Sequence, residues 1–291
     1  MSKAILFINP KKDNVQTLAA EIIRELGLRN IKADSFTFGK SKRINLNRSY
    51  DIAFSLGGDG TVLYAARLMA PLGVPIFPIN LGTLGFIAAV HPEDWVRVFD
   101  SWRSNQACLS KRLMLEARVV RKDKDVSRLN CLNDIVISSL GNAKLIRLHV
   151  YSCAKESGAL MSLGQYRSDG LIMATPTGST AYSVAAGGPI LDPEMEAFIL
   201  NPICPFTLSY RPMVLPATET LMIEVEPGQR SEVLLTVDGQ ETKPLKQGDR
   251  VFVSRTRQAI LIASDRTVFY NALKTKLSWM ETPGTAEIFH A

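Results

Sequence analysis

Asp51-Ile52-Ala53-Phe54-Ser55-Leu56-Gly57-Gly58-Asp59-Gly60-Thr61-Val62-Leu63-Tyr64-Ala65-Ala66-Arg67-Leu68-Met69 changes its hydrophobic period twice within nineteen residues. Asp51 to Leu56 is an apolar run of strand length, Gly57 to Gly60 punctuates it, and Val62, Leu63, Ala66 and Met69 then recur at helical spacing before Pro71. The order is strand, glycine loop, helix. Upstream, Ala4 to Ile8 is a second apolar run, ending at Asn9-Pro10, and Val15, Leu18, Ala19, Ile22, Ile23 and Leu26 follow at helical spacing up to Gly27. Downstream, Val74 to Ile79 reads as a short strand, and Pro92 opens a helix with Trp95, Val96, Phe99 and Trp102 on one face. Strands alternating with helices predict a parallel sheet with helices packed on its faces.

From about Arg112 the pattern changes to short apolar runs between turn residues: Leu113 to Val120, Ile135 to Ser138, Leu145 to Tyr151, Leu221 to Val225, Val233 to Val237, Val251 to Ser254 and Ile260 to Ala263. Phe269, Leu273, Leu277 and Met280 are helical again, a tail that either closes the second half or returns to the first. The fold class is therefore an α/β N-terminal domain with a parallel, Rossmann-like sheet and a β-rich, sandwich-type C-terminal domain. The boundaries are 1–110, with 268–291 as its possible completion, and 111–267.

The bulk numbers exclude several classes. Of 291 residues, 46% are hydrophobic and 21% charged, which suits a folded globular chain and not a disordered one. Ser2 to Pro10 has one Lys before a short apolar run, too little for a secretory signal, and no run reaches about 18 apolar residues. The expectation is a cytoplasmic protein without a membrane partner. Cys108, Cys131, Cys153 and Cys204 form no Cys-x-x-Cys pair and lie far from His91, His149 and His290, so reduced structural thiols outweigh a zinc site. The charge of +6 fits a nucleic acid or a phosphorylated small molecule, but without a run of basic residues or interleaved aromatics no nucleic-acid partner is expected. Gly39, Lys40, Lys42, Arg43 and Arg48, within Phe38 to Arg48, read as a solvated loop ahead of a phosphate contact.

Chemistry concentrates in two segments. Glycines let backbone N–H groups approach a phosphate, and a helix N-terminus adds partial positive charge, so Gly57-Gly58-Asp59-Gly60-Thr61 suits a polyphosphate. The plain alternative is a tight turn with Asp59 capping the helix. The loop is neither a Walker loop nor a dinucleotide fingerprint. Asp169-Gly170 followed by Thr175-Pro176-Thr177-Gly178-Ser179-Thr180-Ala181-Tyr182-Ser183 is dense in hydroxyls, which suit ribose and phosphate oxygens at a helix beginning near Thr180, or simply fold a loop. Asp238-Gly239 by itself is a hairpin turn.

Gly57-Gly58-Asp59-Gly60-Thr61, Leu81-Gly82-Thr83-Leu84-Gly85-Phe86, Asn133-Asp134, Asp169-Gly170 with Thr175 to Tyr182, Arg211-Pro212 and Val237-Asp238-Gly239-Gln240 occur in the order seen in NAD kinases, and the chain resembles that family from about residue 50 to its end. The first element is shared with diacylglycerol and sphingosine kinases and with phosphofructokinases. Thr175 to Tyr182 is the more specific one. A lipid or sugar kinase and a non-catalytic NAD-binding sensor are the competing readings; the polar 169–182 segment argues against a lipid pocket, and the presence of Asp59 argues against a sensor.

The resemblance implies ATP-dependent phosphorylation of the adenosine ribose 2′-hydroxyl of NAD to give NADP, with Asp59 as the general base and Gly60 lining the ribose. It implies NAD contacts at Phe86, Asn133, Asp134, Lys144, Asp169, Thr177, Thr180, Ala181, Tyr182, Ser183, Ala185 and Gln240, with Asp134 where the family often has the longer Glu. Arg167, two residues before Asp169-Gly170, goes with preference for NAD over NADH in this family. Asn9, Gly57, Gly58 and Thr61 are the ATP contacts it suggests, with Lys11 and Lys12 adding charge. Mg²⁺ is expected to bridge the ATP phosphates with no protein metal ligand assigned, and the chain is expected to form a homodimer or homotetramer.

Overall fold

The computed structural model describes residues 2–38, 49–83, 85–141, 145–154, 158–207 and 209–277. Lys144, Leu84, Met280 and the basic residues expected in the loop at 39–48 lie outside them. Continuous apolar runs become strands buried on both sides. The strands β1 (Lys3–Ile8), β2 (Lys32–Thr37), β3 (Ile52–Gly57), β4 (Ile76–Asn80), β5 (Leu109–Arg112) and β18 (Ala259–Ile262) form one sheet in the order β2-β1-β3-β4-β18-β5. All its pairings are parallel except β18 with β5. Every residue of β3 is buried, because helices α1 (Val15–Leu28) and α3 (Trp95–Arg103) cover Leu6, Phe54 and Phe77 on one face. Helix α2 (Asp59–Met69) covers Ile5, Phe7 and Ala53 on the other.

The chain runs from β1 outward to β2, then crosses to β3 and β4 on the other side of β1. That reversal opens a crevice at the carboxyl ends of β1 and β3, where doubly wound sheets bind ligands. Asn9 and Gly57 therefore meet there: the Asn9 N–H bonds the Leu56 C=O at 3.1 Å.

Two antiparallel sheets make the second half. One has the order β10-β9-β14-β17-β6-β7, from β6 (Leu115–Arg121), β7 (Lys124–Cys131), β9 (Ile146–Cys153), β10 (Leu160–Ser168), β14 (Leu221–Val225) and β17 (Arg250–Arg255). The other has the order β13-β12-β11-β8-β15-β16, from β8 (Asp134–Leu140), β11 (Gly170–Ala174), β12 (Ala197–Ile203), β13 (Met213–Pro216), β15 (Glu232–Val237) and β16 (Glu241–Leu245). Leu115, Val119, Ile223 and Val251 of the first pack on Ile135, Ile137, Leu171 and Leu235 of the second. The outer face of the second sheet is also covered, with Val136, Ile172 and Ile199 against Leu191.

The run at Ile260 to Ala263, counted above with the β-rich half, pairs instead in the first sheet, parallel to β4 and antiparallel to β5. Periodicity records that a run is buried, not which sheet buries it. The tail helix α5 (Arg266–Leu277) follows it home: Phe269 packs against Phe86 with ring centroids 6.1 Å apart. No helix among the described residues is long and apolar enough to cross a membrane. The four cysteines are unpaired.

Candidate active site

Helix α2 begins at Asp59, with Gly58 extended before it at φ −111° and ψ −167°. The Asp59 carboxylate does not turn back onto its own helix. Oδ2 accepts the Phe86 N–H at 2.9 Å, while Oδ1 accepts the Ile87 and Ala88 N–H groups at 3.2 and 3.0 Å. Successive amides of one loop thus form a cradle for an anion. Gly85 permits it, because a Cβ there would stand 2.1 Å from Oδ1. A carboxylate offers about four acceptor positions. Among the described residues three are taken, and the one left open belongs to Oδ2.

A second carboxylate is held the same way. Asp238, in the turn between β15 and β16, accepts the N–H groups of Leu132, Asn133 and Asp134 at 3.2, 2.7 and 3.3 Å. The turn itself is the expected Asp-Gly hairpin, with φ 51° at Asp238, φ 64° at Gly239, and the Gln240 N–H bonded to the Val237 C=O. Arg67 of α2 reaches across to donate to Asp238 at 3.2 Å and to the Gln240 Oε1 at 2.8 Å. Gln240 in turn donates to the Gly60 C=O at 2.8 Å. These bonds join the Asp59 loop to the Asn133-Asp134 turn across the two halves of the chain.

Beside that clasp is a cavity of about 410 Å³ lined in part by Asn133, Asp134, Ser138, Ala181, Tyr182 and Gly239. Burial, and then the Asp238 charge, push the Asp134 carboxyl up to about 7. Burial also raises Asp238, against the pull of the Asn133 and Leu132 N–H groups and of Arg67. The Asn133 Oδ1 and the Thr177 hydroxyl are buried with no hydrogen-bond partner among the described residues.

The hydroxyl-rich segment is a short 3-10 turn, Thr177–Thr180, followed by the one-turn helix α4 (Tyr182–Ala185). The helix N-terminus expected near Thr180 is therefore too short to gather a useful dipole. Several hydroxyls fold the segment: Thr175 donates to the Leu132 C=O, Ser179 accepts the Leu191 N–H at 3.0 Å, and Ser183 is buried against Asn201. Gly178 is required where it lies, since a Cβ would be 2.1 Å from the Asn133 carbonyl oxygen. Thr180 is half-buried, while Tyr182 and Ala185 are exposed.

Arg167 and Asp169 stand apart. Gly170 pairs with Ser138 and Ala174 with Asp134, so Asp169 lies at the far end of β8, roughly 17 Å from Asp134 at about 3.4 Å per residue. The exposed Arg167 guanidinium covers the Phe206 ring at 4.9 Å.

On the other side of Asp59, a Cβ at Gly57 would meet the Thr61 hydroxyl at 2.2 Å and Asn9 at 3.2 Å, while Gly58 faces open space. The Lys12 ammonium lies over Gly82, and the buried Asn80 Oδ1 beside it has no partner among the described residues. Among the described residues no cluster of three or more His, Cys, Asp or Glu could hold a metal ion. Arg67 and the structural role of Asp238 escaped the sequence reading, although Arg67 is the only charged residue of α2 after Asp59, which is itself a signal.

Comparison with known proteins gives the family. Residues 4–102 match the family model for the ATP-NAD kinase N-terminal domain, and residues 132–264 the model for the ATP-NAD kinase C-terminal domain. An NAD kinase of Treponema denticola is 42% identical over 283 residues, covering 96% of this chain and 97% of that one. One of Treponema pallidum is 39% identical over 280 residues, covering 96% and 90%. Among solved structures, yeast NADH kinase complexed with NADH superposes with a TM-score of 0.83 at 25% identity, over 97% of this chain and 89% of that one. An Archaeoglobus fulgidus NAD kinase in complex with ATP gives 0.70 at 24% identity, over 93% and 96%, and supports the fold alone. With both family domains matched in order and close relatives along nearly its whole length, this chain belongs to the NAD kinase family and is an enzyme of that kind.

Proposed function

We propose that the chain transfers the γ-phosphoryl group of ATP to the adenosine ribose 2′-hydroxyl of NAD, with Asp59 taking the hydroxyl proton. The observation that carries this reading is the Asp59 carboxylate, whose Oδ2 keeps an acceptor position that no described residue fills, on a loop that Gln240 and Arg67 tie to the Asp238 turn beside Asn133-Asp134. A ribose hydroxyl does not ionise at neutral pH, so a carboxylate placed to take its proton during attack contributes about 10² to 10⁴ in rate. The three amides hold that carboxylate still, and positioning is most of what phosphoryl transfer asks of a protein.

Asn9, Gly57, Gly58 and Thr61 take the ATP phosphates in the crevice between β1 and β3. Gly60, Phe86, Asn133, Asp134, Thr177, Thr180 to Ser183, Ala185 and Gln240 shape the NAD side. Support for it comes from the cavity that Asn133, Asp134, Ala181 and Tyr182 line together. Mg²⁺ travels with ATP and neutralises phosphate charge when bound; with three of its four acceptor positions on amides, Asp59 is not assigned as its ligand. Asp169 takes the nicotinamide side and Arg167 favours NAD over NADH. Exposed Phe206, Met213 and Val214 suit a homodimer or homotetramer.

Purified protein with Mg-ATP is tested in parallel on NAD, NADH, diacylglycerol and fructose 6-phosphate. NADP from NAD is expected, with the new phosphate placed on the 2′ oxygen by NMR; no NADP refutes the proposal. Asp59→Asn should bind NAD with little change while turnover drops by orders of magnitude, and near-normal turnover would remove Asp59 from the base role.

A further inference from the structure

Behind the Asp59 cradle lies a buried cation that the reaction as described does not use. Arg112 of β5 is 1% exposed, and no carboxylate among the described residues is within ion-pair distance of it. Its Nη2 donates to the Ser264 C=O at 2.8 Å and lies 3.4 Å from the Ser264 Oγ, while its Nε has no partner among the described residues. Burial lowers this guanidinium to about 10, with Glu194, Asp192 and Asp265 offsetting part of the effect from a distance, so it stays charged at neutral pH. Taking such a charge out of water without a counter-ion is costly, and an apolar side chain of similar size would avoid that cost.

Ser264 connects this cation to the active site. It is fully buried, and its hydroxyl donates to the Ile87 C=O at 3.1 Å. That carbonyl belongs to the same peptide as the Ala88 N–H, which donates to Asp59 Oδ1 at 3.0 Å. A donor on the carbonyl oxygen draws electron density through the amide and strengthens its N–H as a donor. The order is guanidinium, hydroxyl, peptide, carboxylate. Ala263 before it has φ 53°, left-handed backbone that a residue with a Cβ rarely adopts, and the bond from the Ala263 N–H to the Cys108 C=O at 2.8 Å helps hold it there.

We propose that Arg112 and Ser264 are positioning residues for phosphoryl transfer, polarising and fixing the Ile87–Ala88 peptide so that Asp59 keeps its open oxygen on the acceptor hydroxyl. The proposal rests on Asp59 being the base. It is tested by kcat and KM of Ser264→Ala, Arg112→Lys, Asp59→Asn and the Asp59→Asn/Ser264→Ala double variant, each checked for folding by thermal melt. Ser264→Ala should lower kcat about tenfold with KM for NAD and ATP within about twofold, as expected for an interaction that acts in the transition state. Arg112→Lys, which keeps the charge and a donor, should lose less. In the Asp59→Asn background the Ser264→Ala loss should largely disappear. An unchanged kcat in Ser264→Ala, or the same tenfold loss in both backgrounds, overturns the relay while leaving Asp59 as base. Near-normal turnover of Asp59→Asn overturns the base assignment and the relay with it.

Discussion

Gly85→Ala isolates the cradle with one methyl group. Gly85 does not have left-handed backbone, so alanine is conformationally allowed and the effect is steric. The new carbon would stand 2.1 Å from Asp59 Oδ1, 2.8 Å from its Cγ and 3.0 Å from Oδ2. Ordinary contact needs the carboxylate to move by roughly 1 Å or more, and a misplacement of that size costs on the order of 10² in rate. It also costs hydrogen bonds to a charged group, about 1.5–3 kcal/mol each, and strands the N–H groups of Ile87 and Ala88, which are both buried. Water recovers part of that loss. The expected result is a kcat reduced about 10² to 10³-fold, NAD affinity by calorimetry within a few-fold, and about 2–3 kcal/mol less stability in urea. Gly27→Ala, in α1 and away from the site, is the control for the substitution itself, since a Cβ there meets nothing within 4 Å, and its kcat should match the parent. A Gly85→Ala protein with parental kcat would refute the claim that the 86–88 amides aim the base.

Asp134 gives a pH prediction whose sign is opposite to the usual acidic residue. Its folded value of about 7 lies above the unfolded value of about 3.9, so the native state binds the extra proton between them, and its contribution to stability is lost as pH rises from about 4 to about 7. Asp134→Asn should therefore gain stability relative to the parent across that window, in urea titrations at each pH; a constant difference would contradict the burial argument. Arg67→Met leaves Asp238, whose side chain is 0% exposed, without its cationic partner, and should cost about 3–5 kcal/mol by urea denaturation; a loss under about 1 kcal/mol would mean that the amides alone suffice. Lys12→Ala should raise KM for ATP several-fold while leaving KM for NAD unchanged, and added salt should narrow the difference; equal effects on both substrates would detach Lys12 from the phosphates.

How much of this was legible in the sequence follows from what each signal encodes. The strand, glycine loop and helix at 51–69 were readable because β3 is buried on both faces and α2 on one, so their periods are clean. By contrast β2 buries only Phe36 of its six residues and, as an edge strand, carries almost no pattern. Strands β11 and β12 are wholly buried but flank a turn segment whose Gly and Pro dominate any window. At the site, residue types were visible while their partners were not. Asp59 read equally well as a helix cap because nothing local says that residues 86–88 fold back onto it. Asp238 read as a hairpin turn, which it is; its second task depends on amides more than a hundred positions away. Both carboxylates are cradled by three consecutive backbone N–H groups, and backbone donors leave no trace in residue identity. What does leave a trace is the glycine that makes room. Gly85 stands against Asp59 and Gly178 against the Asn133 carbonyl. The motifs Leu81 to Phe86 and Thr175 to Tyr182 thus carry, in a residue without a side chain, the shape of contacts made by other parts of the chain.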